Sequence, residues 1–154
     1  MIESLKHLAQ AQASDSELSA NFTDLAPPLT SRQAAIEAAR CLYCYDAPCM
    51  RACPSEIDVA SFIRNIHDEN INGAAAGILK ANILGGSCAR VCPTEILCED
   101  ACVRNHYEEK RPVAIGLLQR HALDHASFES HPFQRAASTG KTIAIVGAGP
   151  AGLS

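Results

Sequence analysis

All eight cysteines of this 154-residue chain fall in two short arms. The first runs Cys41-Leu42-Tyr43-Cys44-Tyr45-Asp46-Ala47-Pro48-Cys49-Met50-Arg51-Ala52-Cys53-Pro54. The second holds Cys88, Cys92-Pro93, Cys98 and Cys102. Thiols are soft donors that lose their protons when a metal binds them, so thiols gathered this densely point to metal. A disulfide framework is the competing use, and the redox compartment decides between the two. Residues 1–20 carry Glu3, Lys6, Asp15 and Glu17 and no continuous apolar run, so no leader is read there. No stretch approaches the roughly 20 apolar residues of a membrane span. The expected setting is the reducing cytoplasm, where clustered cysteines bind metal or react rather than pair.

The spacing narrows the metal. The first arm is C-x2-C-x4-C-x3-C-P and the second is C-x3-C-P-x4-C-x3-C. Two-cluster ferredoxins close each arm with a Cys-Pro whose cysteine serves the other cluster. Cys53-Pro54 and Cys92-Pro93 fill that slot, and crossed ligands would join both arms into one unit. Two zinc ions could also use eight cysteines, but all-cysteine zinc sites favour paired C-x2-C steps. This chain has one such step, Cys41 to Cys44. Iron–sulfur, zinc and metal-free buried thiols all remain open on spacing alone.

The elements around the arms read as helices. Apolar residues Ile2, Leu5, Leu8 and Ala9 suggest an amphipathic helix over Met1–Ala13, followed by extended linker from Ser14 to Pro28. Thr30 or Ser31 can cap a helix through Ala34, Ile36, Ala39 and Arg40 that delivers Cys41 and Cys44. Asp46-Ala47-Pro48 is a turn. Asp58 starts a helix with Val59, Phe62, Ile63 and Ile66 on one face, ended by Asn72-Gly73. A short helix follows over Ala74–Lys80, with Ile78 and Leu79 inward, and Gly85-Gly86 reads as a flexible turn. Thr94 is read as the cap of a helix from Glu95 to Arg104, carrying Cys98 and Cys102 at i, i+4. Pro112 opens the last helix, which runs to Ser127 with Ile115, Leu118 and Ala122 on one stripe and Gln119 beside it. The chain is 47% hydrophobic but 5% aromatic, so the core is expected to be mostly Ala, Leu and Ile. Its formal charge of −4 speaks against nucleic acid as a partner.

After the linker 129–140, the run Thr142-Ile143-Ala144-Ile145-Val146 reads as a strand leading into Gly147-x-Gly149-x-x-Gly152. In a strand–loop–helix context those glycines form a dinucleotide-binding loop. The first makes the turn, the second admits pyrophosphate and the third packs helix on strand. The acidic residue expected about 20 positions on lies beyond Ser154.

The strings Cys41-Leu42-Tyr43-Cys44-Tyr45-Asp46-Ala47-Pro48-Cys49, Cys88-Ala89-Arg90-Val91-Cys92-Pro93-Thr94-Glu95 and Ile115-Gly116-Leu117-Leu118-Gln119 closely resemble the dihydropyrimidine dehydrogenase family. The resemblance is to its N-terminal module, covers about Asn21 to Ser154, and extends to the small subunit of glutamate synthase as a cousin. It implies an all-α bundle with two 4Fe-4S clusters. Cys41, Cys44, Cys49 and Cys102 would hold one cluster, and Cys53, Cys92, Cys98 and Gln119 the other. Cys88 would be spare. Gln119 separates the cousins, because the glutamate synthase subunit typically carries Glu there.

The resemblance further implies electrons passing between NAD(P)H, FAD and the clusters, and on to an FMN-containing subunit that reduces uracil or thymine. A second copy of the chain is the other partner considered. FAD would belong to the glycine loop of the full-length protein, and this segment by itself is expected to bind no FAD and catalyse nothing. The implied domains are 1–29 (helix and linker), 30–128 (iron–sulfur), 129–140 (linker) and 141–154 (the opening of an FAD-binding domain). The alternatives are a glutamate synthase subunit and a zinc-stapled helical adaptor. His121 and His125 at i, i+4 read as a solvated face rather than a metal pair. Arg104, Lys110, Arg111 and Arg120 read as ordinary charged surface, or as a basic rim that tunes potential or meets a partner.

Overall fold

The fold was taken from a computed structural model, which describes residues 14–107 and 110–153. The helix expected over Met1–Ala13 lies outside them. Among the described residues the structure is helical, without strands, in keeping with an all-α class. No described helix is long and apolar enough to cross a membrane.

Side-chain caps fix most helix starts. Helix α1 (Asp15–Asn21) begins where the Ser14 hydroxyl accepts from Glu17 N at 3.3 Å and the Glu17 carboxylate accepts from Ser14 N at 2.8 Å. This reciprocal box satisfies two orphan N–H groups, and it overturns the extended linker expected over Ser14–Pro28. Thr30 and Gln33 repeat the box at helix α2 (Ser31–Ala38). Ala34 and Ala38 face inward there, while Ile36 stays exposed.

Pro48 then opens the one-turn helix α3 (Pro48–Arg51). Asp58 caps helix α4 (Val59–His67), its carboxylate accepting from Ser61 N at 3.0 Å. Its buried face is Val59, Phe62, Ile63 and Ile66, as the periodicity requires.

Four boundaries differ from expectation, one of them at Pro112, which lies outside the helix it was expected to open because that helix starts at Ile115 after the N-cap Ala114. Asn72-Gly73 does not end α4, because the chain already turns at Glu69, with φ +61°. Asn70 then caps helix α5 (Ile71–Ala81) by accepting from Gly73 N at 3.0 Å. Gly85-Gly86 is no loose turn but the first two residues of helix α6 (Gly85–Val91). The expected helix from Glu95 to Arg104 is absent. Two 3-10 turns, Thr94–Ile96 and Val103–His106, flank an irregular stretch in its place. Leu97 leaves helical space (φ −123°, ψ −112°), so Cys98 and Cys102 do not share a helix face.

Helix α7 (Ile115–His125) is central: α2, α4, α5 and α6 all pack on it. Leu118 and Ala122 are fully buried there, together with Phe62, Ile63 and Ile78 from the partner helices. Each large apolar side chain so buried contributes about 1.5–3 kcal/mol. Residues 142–146 form no strand, since a lone β-branched run has no ladder to join. Ile143, Ile145 and Val146 are exposed, and the chain continues into the single turn α8 (Pro150–Leu153).

Candidate metal centre

Three separate segments deliver four cysteines to one pocket. Cys41 follows α2, its N–H held by the Ala38 carbonyl at 3.0 Å. Cys44 lies in the bend before α3, and Cys49 is on α3. Cys102 comes from the far end of the second arm, just before a 3-10 turn. Together they line a pocket whose other walls include Val59, Ile63, Val113 and Ile115. Those four side chains also belong to the hydrophobic core. The core and the pocket wall are therefore one structure, and the four cysteines on it are partly buried.

The bend is held in unusual backbone. Tyr43 (φ +50°) and Ala47 (φ +35°) are both left-handed without being glycine. Such residues are uncommon and cluster at functional sites. Burial raises the pKa of the Cys41 thiol, and the nearby Tyr43 backbone N–H opposes that rise. Burial pushes Cys49 up to about 11, helped by the negative charge Cys102 and Cys41 would carry. Cys41 and Cys49 therefore hold their protons more tightly than a free thiol until a metal displaces them.

The second group is built differently. Cys53 follows α3, Cys92 caps the end of α6, and Cys98 is the one buried cysteine. Burial pushes Cys98 up to about 12, with Glu99, Cys53 and Cys92 adding to it. Cys92 rises to about 11, through burial first and then its neighbour Cys88. Cys88 sits on α6 one turn before Cys92, the residue that caps it, and is close enough to raise the Cys92 pKa.

Gln119 is buried on α7, against α6. Its Nε2 donates to the Gly85 carbonyl at 2.8 Å. Its Oε1 accepts no hydrogen bond from the described residues. An amide oxygen left without a hydrogen-bond donor in this way can serve as a hard donor beside soft thiols. Among the described residues, no three His, Cys, Asp or Glu side chains form the ligand set of a single metal ion. Thiols lining an apolar pocket, with N–H donors aimed at sulfur, fit an iron–sulfur centre.

Two carboxylates missed by sequence reasoning hold the frame. Glu99 accepts from Gly116 N at 3.0 Å, tying the second arm to the start of α7. Buried Glu37 accepts from Ala114 N at 3.0 Å and pairs with Arg40 and Arg111. Their backbone partners lie 17 positions away for Glu99 and 77 for Glu37, beyond the reach of any local spacing rule.

The other candidates disperse. His121 is buried, its Nδ1 3.2 Å from the Leu29 carbonyl, and His125 Nδ1 lies 2.9 Å from the His121 carbonyl. The two rings stack at 4.2 Å, so only His125 belongs to an exposed face. Arg120 binds Asp24 at 2.8 Å and Asp124 at 3.2 Å, away from the thiols. Gly147, Gly149 and Gly152 form a tight loop: a Cβ at Gly152 would lie 2.3 Å from the Gly147 carbonyl oxygen.

Residues 18–131 match the family described as dihydropyrimidine dehydrogenase domain II, 4Fe-4S cluster. The NAD-dependent dihydropyrimidine dehydrogenase subunit PreT of Escherichia coli (strain K12) is 47% identical over 138 residues, which is 86% of this chain and 32% of that protein. Its Salmonella typhimurium counterpart is 46% identical over the same shares. The glutamate synthase [NADPH] small chain of E. coli (strain K12) is 35% identical over 136 residues, 86% of this chain and 28% of that protein. The chain thus spans about a third of the length of these curated relatives.

Proposed function

This chain belongs to the dihydropyrimidine dehydrogenase domain II, 4Fe-4S cluster family, and on that premise we propose that it is the electron-transfer module of an NAD(P)H-dependent flavin/iron–sulfur oxidoreductase. Cys41, Cys44, Cys49 and Cys102 hold one 4Fe-4S cluster. Cys53, Cys92, Cys98 and Gln119 hold the other, and Cys88 is no ligand. Bound clusters supply one-electron chemistry. The observation that carries this reading is the convergence of Cys41, Cys44, Cys49 and Cys102 on one apolar pocket.

The residues divide the work. Thiolates bind, and Val59, Ile63, Val113 and Ile115 keep water out. Tyr43 N–H steadies the Cys41 sulfur. Gln119 is oriented by its bond to Gly85, which leaves Oε1 as the donor atom. The bundle 30–128 is the iron–sulfur domain, preceded by 1–29 and joined by the linker 129–140 to 141–154. In the full-length protein Gly147, Gly149 and Gly152 belong to an FAD-binding domain. Electrons pass between NAD(P)H, FAD and the clusters, then on to an FMN-containing subunit that reduces uracil or thymine. Gln119 and the 47% identity to a dihydropyrimidine dehydrogenase subunit favour this over a glutamate synthase role, which the 35% relative represents.

The test is an iron and sulfide count on anaerobically purified protein. About eight iron and eight sulfide per chain are expected for two such clusters. Colourless protein with stoichiometric zinc would replace this reading with a zinc-stapled adaptor. Copurification with an amidotransferase subunit, rather than a pyrimidine-reducing one, would move the module to glutamate synthase.

A further inference from the structure

Of the four basic residues flagged near the arms, only Arg104 lines the thiol pocket. Arg111 is engaged by Glu37 and Arg120 by Asp24 and Asp124, while Lys110 is exposed. Among the described residues Arg104 is also the sole charged side chain lining the pocket; the rest are cysteines and apolar groups. It is half-buried, and its Nε donates to the Arg40 carbonyl. That bond anchors the guanidinium by its inner nitrogen. Among the described residues it has no carboxylate partner. Burying a cation costs free energy unless an opposite charge faces it; Arg104 shares the pocket with Cys41, Cys44, Cys49 and Cys102, and its charge acts on the Cys41 thiol.

We propose that Arg104 is the fixed counter-charge of the Cys41/Cys44/Cys49/Cys102 centre and raises its reduction potential above the value that the thiols alone would set. This rests on the iron–sulfur reading of that pocket. Each electron accepted there adds one negative charge next to the guanidinium. A guanidinium stays charged at all working pH values, and in a pocket with apolar walls its attraction is weakly screened. It therefore stabilises the reduced state more than the oxidised one. At the Cys53/Cys92/Cys98 group the charged side chains that act most on the thiols among the described residues are carboxylates, Glu95 on Cys92 and Glu99 on Cys98. Arg104 thus sets the two centres apart.

The experiment uses the full-length protein, purified anaerobically, with an iron and sulfide count and a dithionite titration followed by electron paramagnetic resonance. Arg104→Gln should keep the wild-type iron content and move one potential in the negative direction. Arg104→Lys should bring it back towards wild type. The centre that moves should be the one left unmoved by Gln119→Glu, which reports on the other ligand set. Full iron with unchanged potentials in Arg104→Gln overturns the inference and leaves the iron–sulfur reading standing. If Arg104→Gln loses iron, Arg104→Lys decides: retained iron at the wild-type potential supports the charge, and equal loss overturns it. Wild-type protein without iron and sulfide overturns both readings.

Discussion

The Nε2 of Gln119 donates to the carbonyl of Gly85, 34 positions earlier in the chain, at 2.8 Å. This bond joins the central helix α7 to the first turn of α6, the helix that ends at Cys92. It requires close approach, and Gly85 supplies it. A Cβ at Gly85 would lie 2.6 Å from Ile78 Cγ2 and 3.2 Å from Leu123 Cδ1. Ile78 is fully buried and has no room to retreat. Gly85→Ala should therefore push α6 off α7, at about 1–3 kcal/mol for overpacking. A lower urea midpoint with an unchanged slope would show it. A wild-type midpoint would mean that α6 docks less tightly than the structure has it.

The same bond sharpens what Gln119→Glu should do. A carboxylate at Oε1 adds negative charge to the second ligand set and should lower the potential of that centre. It also loses the donor to Gly85, leaving two oxygens face to face. A buried carbonyl without its partner costs about 1–3 kcal/mol. The variant is expected to keep both clusters, shift one potential and unfold at lower denaturant. Unmoved potentials would remove Gln119 from the ligand set.

Much of this frame was legible in the sequence because it rests on local rules. Thr30 and Asp58 cap the helices they were expected to cap, and Val59, Phe62, Ile63 and Ile66 bury the face their spacing implies. Two of the failures share a cause, which is long-range contact overriding local preference. Gly85-Gly86 looked like a turn, but Gly85 is needed for helix–helix approach. The helix expected from Glu95 gave way where Leu97 breaks it and Glu99 reaches across to Gly116. At Tyr43 the left-handed backbone has no signature, since an aromatic residue gives no hint of positive φ. At Ser14 the signal was present, because Ser14 followed by Glu17 is a capping box, but its polar context masked it.

His121 provides a pH handle on the fold. Burial lowers its pKa below the ordinary 6.5, with His125 adding to this and the Leu29 carbonyl opposing it. A histidine depressed in the fold contributes stability above its unfolded pKa and loses it as pH falls towards the folded value. Acidification below about pH 6.5 should thus destabilise the bundle, starting where Leu29 meets α7. A His121→Asn variant should flatten the slope of Tm against pH in that range. If the wild-type slope persists in the variant, another group is responsible.

The last prediction separates neighbours on one helix turn. Cys88 and Cys92 are four residues apart, Cys88 close enough to raise the Cys92 pKa, and only Cys92 is proposed as a ligand. Serine keeps the size of each side chain but removes the soft donor. Cys88→Ser should hold the full iron content, with at most a modest shift in one potential from the changed neighbour of the Cys92 sulfur. Cys92→Ser should lose about four iron per chain, the content of one 4Fe-4S cluster. It should also lower Tm, because metal binding to thiols is coupled to folding. The paired iron counts check this directly. Equal loss in both variants would make Cys88 a ligand after all, and would put thiolate in the coordination place proposed for Gln119.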